Sequence, residues 1–346
     1  MQPARLLAAF ALCATATSFI ATSPRFPRLA APKAAVPSPV PSSLKVRPPI
    51  TPRVAPTAPS LVVPPPPAAG TAENPVLLPP LFVWPGGGIL FWWDAGAITE
   101  LRRRNVDLSR CSHVGASAGA LAAVLAVCDV DMNVAFETAA RLTDGTGATA
   151  RGTLLGSWGG VCREWLGEIL PEDAAERCTG TTTIVVSKLT GTFKTTVEKM
   201  PVSEFADRQA LIDTLMASVH VPFFMDGKLG ATCGEGENGD VFVDGSLGGL
   251  RGEELAAMAS PMVAGTDGLV RARPRVVVDA AALKDRPHFL SLPTMNELRA
   301  LAARGAAHVA DYDEQGGLDA SRAGIAGAEA GDILWSELRA YFRRDR

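Results

Sequence analysis

The fold is decided by the stretch Val114-Gly115-Ala116-Ser117-Ala118-Gly119. It continues the short run Ser112–Val114, which predicts a strand, and it leads into the small-residue run Ala118–Cys128, which predicts a helix. A serine on a tight strand-to-helix turn tolerates only small neighbours, and this is the physical reason for the pattern G-x-S-x-G. At a helix N-terminus, backbone N–H groups and the helix dipole favour developing negative charge. The stretch therefore favours Ser117 as a nucleophile, with an incidental serine at a glycine-rich helix start as the alternative.

A glycine-rich turn precedes the serine turn by one strand–loop–helix–strand unit. The run Pro85-Gly86-Gly87-Gly88-Ile89 follows a strand predicted at Leu81–Trp84 and precedes a helix predicted at about Trp93–Asn105. Backbone N–H groups that no side chain shields can point at an anion there. The run lacks the Lys-Ser/Thr pair of a phosphate-binding loop and the spacing of a dinucleotide-binding loop. It is weak evidence alone, but its place before the serine turn makes it a candidate oxyanion hole.

A carboxylate follows an apolar strand further along the chain. Val241–Val243 ends in Asp244-Gly245-Ser246, and open α/β sheets place their sites at the carboxyl ends of strands. Asp244 is thus a candidate proton acceptor for the serine. The commonest role of an Asp-Gly pair is a plain turn, and the residues taken alone favour the turn.

A catalytic triad would instead need a histidine after the serine. The three candidates are His220, His288 and His308, and none lies in a glycine-bounded loop at a strand end. His288 stands in Arg-Pro-His-Phe and His308 inside an alanine-rich helix, so structural roles are favoured for these histidines.

Taken in order, the three motifs resemble those of the patatin-like phospholipase family, over about residues 81–250. The stretch Ala217–Phe224 also resembles the family's A-S-x-x-x-P segment, and the glycine-loop spacing is closer to adiponutrin-type lipases than to plant storage patatins. The resemblance implies an α/β fold, a three-layer αβα sandwich with a mostly parallel central sheet, and a Ser–Asp dyad. By position it assigns these roles: Ser117 as nucleophile, Asp244 as base, Gly86, Gly87 and Gly88 as oxyanion hole, Gly115 and Gly119 as nucleophile elbow, and Gly245 as part of the proton-acceptor motif.

Three positions depart from the family pattern. Leu90 and Phe91 follow the glycine run where patatins usually carry a basic residue and glycine, although Leu90 has a precedent in adiponutrin-type members. Ser246 replaces the last glycine of D-G-G. Because Phe91 is bulky, a second hypothesis is a catalytically weak patatin-fold lipid-binding protein; a third is a Ser-His-Asp esterase. Phe91, Trp92 and Trp93 are predicted to pack in the core, with an acyl pocket or membrane contact as alternatives.

Elsewhere strands alternate with helices, which predicts a mostly parallel sheet covered on both faces. Helices are predicted at about 132–142, 161–170, 203–218 with Ser203 as N-cap, 295–310 and 320–343; strands are predicted at 275–279 and, as a hairpin turning at Gly191, at 182–187 and 192–197.

The first 72 residues have a composition of their own. They contain seven Lys and Arg residues and no acidic residue, and they are rich in proline from Pro32 to Pro67. Residues 1–22 resemble a signal-like targeting segment, and residues 23–72 a transit-peptide-like, disordered linker. Such a two-part leader predicts delivery to a plastid, with secretion or the endomembrane lumen as the alternative. The patatin-like domain with its C-terminal helices is then expected to occupy residues 73–346.

Composition narrows the partners. The net charge of −3 gives no field that would gather nucleic acid, and six scattered cysteines form neither a disulfide framework nor a metal-ligand pattern. We therefore expect no cofactor, no metal and no nucleic acid. The expected substrate is a glycerolipid, such as a phospholipid, galactolipid or acylglycerol, reached by peripheral contact with a membrane or lipid-droplet surface. The sequence leaves the oligomeric state open.

Overall fold

The computed structural model describes residues 76–148, 152–190, 196–233, 240–259, 271–280, 283 and 285–330. The predictions for the targeting segment, the linker, the hairpin turn at Gly191 and the end of the last helix lie outside these residues.

The strands are short, apart from one long strand at the centre of the sheet. They are β1 (Val76–Leu77), β2 (Leu81–Trp84), β3 (Ser112–Ala116), β4 (Thr182–Thr190), β5 (Thr196–Val202), β6 (Ala231–Cys233), β7 (Asp240–Val243), β8 (Arg271–Ala272) and β9 (Arg275–Val277).

Helices connect several of these strands. They are α1 (Phe91–Arg103), α2 (Ala118–Val127), α3 (Met132–Gly145), α4 (Trp158–Ile169), α5 (Ala174–Cys178), α6 (Arg208–Ser218), α7 (Gly252–Ala257), α8 (Met295–Glu314) and α9 (Asp319–Ala330), with 3-10 turns at Gly88–Leu90 and Leu108–Arg110.

The main sheet is mixed, with a parallel centre. Its order is β6-β7-β4-β3-β2-β9, and β5 pairs with the other side of β4. β9, β2, β3 and β4 are parallel to one another, whereas β5 and β7 pair antiparallel with β4, and β6 pairs antiparallel with β7. A separate parallel pair joins β1 to β8. The expected α/β fold is confirmed, with antiparallel strands added at one end of the sheet.

The two faces of the sheet bury alternate residues of its central strands. Phe82, Trp84 and Ile184 point into the larger core, which they share with α1 to α6. Their neighbours Leu81 and Val83 point to the opposite face and pack with Leu255 and Ala256 of α7. Because successive strand side chains point to opposite faces, all four residues of β2 are buried. This arrangement gives the helix–sheet–helix layering.

The predicted N-cap at Ser203 is wrong. α6 begins at Arg208, and its N-cap is Asp207, whose side chain accepts a hydrogen bond from the Ala210 amide at 2.8 Å. The preceding chain is held against the loop after α5, because Ser203 O accepts from Gly180 N at 3.0 Å. Phe205 in this segment is 2% exposed, so core packing delays the start of the helix.

Within the part of the chain that the structure describes, no helix has both the length and the apolar character needed to cross a bilayer. The four cysteines with described side chains, Cys111, Cys128, Cys162 and Cys178, are buried free thiols.

Candidate active site

Two strands, β3 and β7, approach each other end to end along one side of β4. β3 runs parallel to β4 and ends with Ala116 opposite Val185. β7 runs antiparallel to β4 and ends with Val243 opposite Ser187. The two chains therefore both leave the sheet beside Val186. Residues distant in sequence meet there because a single long strand serves as the template for both.

The residues that follow these strand ends are Ser117 and Asp244. The Ser117 hydroxyl donates a hydrogen bond to Asp244 Oδ2 at 2.5 Å. The other carboxylate oxygen, Oδ1, accepts from the Ser246 amide at 2.8 Å. Both side chains are buried, each residue being 7% exposed. The structure thus brings the predicted nucleophile and the predicted proton acceptor into direct contact.

Burial changes the acidity of the carboxylate. Desolvation raises the pKa of Asp244 from 3.8 to about 6, although hydrogen bonds from Ser117 and Ser246 and the charge of Lys199 oppose the rise. A carboxylate with a pKa near 6 is ionised at neutral pH and accepts a proton more readily than an exposed aspartate does.

The serine lies on a strained turn. Ser117 has φ 53° and ψ −130°, a left-handed conformation that side chains rarely adopt. Its amide donates to the Ser218 hydroxyl at 2.9 Å, and that hydroxyl donates in turn to Val185 O at 2.7 Å. Ser218 therefore ties the strained turn to β4. It lies in the A-S-x-x-x-P stretch, so the sequence marked the segment but not the role.

The two flanking glycines of the motif sit against backbone atoms. A Cβ on Gly119 would lie 1.9 Å from Trp84 O, and a Cβ on Gly115 would lie 2.3 Å from Gly119 O. Only glycine fits at either position, which gives G-x-S-x-G its steric meaning here.

The glycine loop lies directly over the serine. A Cβ on Gly86 would be 2.1 Å from Ser246 Oγ and 2.9 Å from Ser117 Cβ. The amide of Ile89 donates to Phe289 O at 2.9 Å. Since Ile89 N–H is thereby engaged, any oxyanion donors from this loop must come from the predicted residues Gly86 to Gly88.

Comparison with known proteins agrees with this arrangement. Residues 82–250 match the family model for patatin-like phospholipase. The chain contains a patatin-like phospholipase domain. The human protein named omega-hydroxyceramide transacylase is 29% identical over 174 residues, which cover 48% of this chain and 30% of that protein. The mouse protein of the same name is 30% identical over 147 residues, covering 40% of this chain and 23% of that protein. The chain thus spans less than a third of the length of either relative.

An apolar cleft opens beside the serine of the patatin-like domain. Ser117 lies at its wall with Gly88, and the other lining residues are mostly apolar, among them Leu121, Trp158, Val161, Trp165 and Met225.

The aromatic cluster at the start of α1 lies in the core, and part of it also lines this cleft. Phe91 and Trp92 line the cleft, and both are 6% exposed. Phe91 packs edge to face on Trp165 with ring centroids 5.5 Å apart. Trp93 is 1% exposed and lies in the core beside His308. Core packing is therefore confirmed for all three aromatic residues, and Phe91 and Trp92 line the cleft as well.

The three histidines of the rival triad make other contacts. His220 Nε2 lies 3.3 Å from Lys228 O, and His288 Nδ1 accepts from Leu290 N at 3.3 Å. The His308 ring lies 5.2 Å from the Trp93 ring. The hydrogen-bond partner of Ser117 Oγ among the described residues is Asp244.

Proposed function

We propose that this protein is a serine lipid acyl hydrolase that cleaves acyl esters of glycerolipids through a dyad of Ser117 and Asp244. The match of residues 82–250 to the patatin-like phospholipase family model supports lipid acyl chemistry in general. The observation that carries the specific proposal is the 2.5 Å hydrogen bond between Ser117 Oγ and Asp244 Oδ2 at the wall of an apolar cleft.

The proposed reaction follows from the positions of these groups. Ser117 Oγ attacks the ester carbonyl carbon while its proton passes to Asp244. The amides of Gly86, Gly87 and Gly88 hold the resulting oxyanion. The alcohol leaves with the proton from Asp244, and an acyl-serine remains. Water then attacks the acyl-serine with Asp244 as base. The fatty acid is released, and the proton returns from Asp244 to the free Ser117 hydroxyl.

The cleft supports the choice of substrate. An alkyl chain gains roughly 0.8 kcal/mol for each methylene that leaves water, so an apolar cleft beside the nucleophile favours long acyl chains. Phospholipid, galactolipid and acylglycerol share that chain and differ in the alcohol, which would lie outside the cleft. A panel of the three, offered to purified protein, identifies the preferred head group.

A fluorophosphonate probe tests the nucleophile. We expect the probe to label the purified protein and Ser117→Ala to abolish both labelling and ester hydrolysis, because the probe reacts only with an activated serine. Ser291→Ala is a matched control, since Ser291 also lines the cleft and has no predicted role in the chemistry. A well-folded wild-type protein that is not labelled would support the catalytically weak lipid-binding protein instead.

The acid limb of the pH profile tests the base. Because the pKa of Asp244 is raised to about 6 by burial, kcat/KM should rise with pH through about 6 and then level off as the carboxylate ionises. Rates of ester hydrolysis between pH 4.5 and 8.5 measure this limb. A limb that lies near pH 4 would contradict the role of a desolvated carboxylate.

Acyl transfer to an alcohol is a second candidate function. Two relatives are named as transacylases, and the apolar cleft next to Ser117 would favour a long-chain alcohol over water as acceptor of the acyl group. Incubation of a glycerolipid with and without a long-chain alcohol separates the two functions. Transacylation gives the new ester at the expense of free fatty acid, whereas a pure hydrolase gives the same fatty acid in both cases.

We propose that the mouth of the cleft touches a lipid surface. Phe289, at the lining, and Leu155, next to the lining residue Leu154, are 39% and 60% exposed. We expect Leu155→Asp to weaken sedimentation with phosphatidylcholine vesicles by about 10-fold, since inserting a leucine is worth roughly 1.5–3 kcal/mol. Val134→Asp, at a position 52% exposed and outside the lining, is the matched control. Equal loss in both variants would contradict this docking face.

Plastid delivery remains a proposal on the composition of residues 1–72, which carry positive charge without any acidic residue. A fluorescent reporter fused behind these residues tests it, and secretion of the reporter would contradict it.

A further inference from the structure

The turn that carries the candidate base is held from behind by a lysine. Lys199 Nζ donates to Gly245 O at 2.7 Å and to Leu247 O at 2.6 Å. It donates a third hydrogen bond, at 3.0 Å, to Ser187 Oγ, and that hydroxyl donates to the carbonyl oxygen of Asp244 at 2.8 Å. The carbonyls of residues 244, 245 and 247 thus converge on one ammonium group and the hydroxyl it binds.

The sheet brings this group to the turn. Lys199 on β5 pairs with Ser187 on β4, and Ser187 pairs on its other side with Val243, the residue before the base. The three residues form a row across the sheet, and the first two side chains project to the same face. Gly245 O and Ser246 N–H belong to one trans peptide group and point in opposite directions. Because Gly245 O points to Lys199, the Ser246 amide points to Asp244 Oδ1.

We propose that Lys199 is a positioning residue that orients the Asp244 turn and stabilises the ionised carboxylate. The inference rests on the proposed function, because it concerns the base of that reaction. Lys199 acts through the turn and by its charge, and it touches neither Ser117 nor the cleft.

The charge of Lys199 bears directly on the base. It is the cation whose attraction lowers the pKa of Asp244 against desolvation, and burial in turn lowers the pKa of Lys199. The other groups that face the carboxylate are the uncharged Ser117 hydroxyl and the Ser246 amide. His220 lies beside this residue, and its carbonyl oxygen accepts a hydrogen bond from Asp244 N at 2.8 Å. Burial lowers the pKa of His220 below its ordinary value, so its ring is neutral at pH 7. Removing the ammonium therefore raises the pKa of Asp244.

The comparison of Lys199→Met with Lys199→Arg tests the proposal. We expect Lys199→Met to move the acid limb of kcat to higher pH by about 0.5–1 unit. It should also lower kcat at pH 7 by about 10-fold, of which the change in ionisation accounts for at most about twofold and the loss of orientation for the rest, with little change in KM. Lys199→Arg retains the cation, so its acid limb should stay near that of wild type while kcat falls less. Lys188→Met is the control, since Lys188 lies on the neighbouring strand and pairs with the half-exposed Asp240.

A direct titration separates this inference from the proposed function. The carboxyl carbon of Asp244, assigned in a carbon-13 spectrum by its loss in Asp244→Asn, gives the pKa without any turnover. An inactive, unlabelled wild type would overturn the proposed function, whereas the expected rise of that pKa in Lys199→Met would still support Lys199 as the group that stabilises the ionised carboxylate. The same pKa in Lys199→Met as in wild type would overturn the inference. Should Lys199→Met fail to fold, Ser187→Ala removes the link to the Asp244 carbonyl: lower kcat at unchanged thermal stability supports the proposal, and unchanged kcat overturns it.

Discussion

Asp244→Asn is expected to lower kcat for ester hydrolysis by about 10³-fold or more while the protein remains folded. The amide has nearly the shape of the carboxylate, so the contact with Ser117 Oγ can persist, but it cannot take the serine proton. Without that transfer the hydroxyl is a poor nucleophile. The measurement is single-turnover acylation of the purified variant by a chromogenic ester, with Ser117→Ala as the reference for complete loss.

The outcome also decides between a dyad and a triad. If Asp244→Asn retained activity and His288→Ala or His308→Ala lost it, the base would be a histidine, and the 2.5 Å contact between Ser117 and Asp244 would be structural.

The same variant should be more stable than wild type at alkaline pH. Burial raises the pKa of Asp244 in the folded protein from 3.8 to about 6. The protonated side chain therefore favours the folded state, and this contribution to stability is lost as pH rises through about 6. At pH 8 the ionised group lowers the free energy of unfolding by up to about 3 kcal/mol relative to acid conditions. Asparagine carries no charge. Urea denaturation should therefore show a gain for Asp244→Asn at pH 8 that shrinks by pH 4.5.

Two features that lower the stability of the fold lie at one place in the molecule. A buried carboxylate and a serine with φ 53° both weaken the fold, yet both lie where β3 and β7 meet. Such local strain persists only when surrounding contacts over-determine it. Ser218 supplies those contacts for the serine and Lys199 for the turn of the base.

Local patterns were sufficient to predict the parts of the site that are fixed by short-range sterics. The strand at Leu81–Trp84 was predicted with its observed bounds because apolar runs between prolines have few alternatives. The serine turn was predicted because a positive φ beside a sheet and a helix demands small neighbours. In both cases the constraint acts between residues close in sequence.

Long-range pairing could not be predicted in the same way. Nothing in the sequence of β4 indicates that one side of it receives β3 and then β7, yet this double pairing is what joins Ser117 to Asp244. Lys199 lies in a strand with mostly exposed and half-exposed residues, which is typical of an edge strand. Its role depends on carbonyls of a turn 46 residues away. The sequence does not show that Phe205 packs in the core, and without that information Ser203 has the features of an N-cap.

Gly119→Ala is expected to lower the free energy of unfolding by about 3 kcal/mol or more and to abolish labelling of Ser117. In an ordinary helix this change stabilises by roughly 0.8–1 kcal/mol, because alanine is the better helix former. Here the new Cβ would meet Trp84 O at 1.9 Å and Pro85 O at 2.6 Å. Both are backbone atoms of the strand end that leads into the glycine loop, so no side-chain rotation can relieve the contact.

Relief therefore requires α2 to move away from β2, and that movement carries Ser117 away from the glycine loop. A displacement of about 1 Å at a reacting group can cost about 100-fold in rate, so activity should be lost even in molecules that stay folded. Gly160→Ala is the matched control, since Gly160 is also in a helix, α4, and a Cβ there meets nothing within 4 Å. It should gain stability and keep wild-type labelling. Wild-type stability and labelling in Gly119→Ala would show that the contact between the serine turn and the glycine loop is looser than the structure places it.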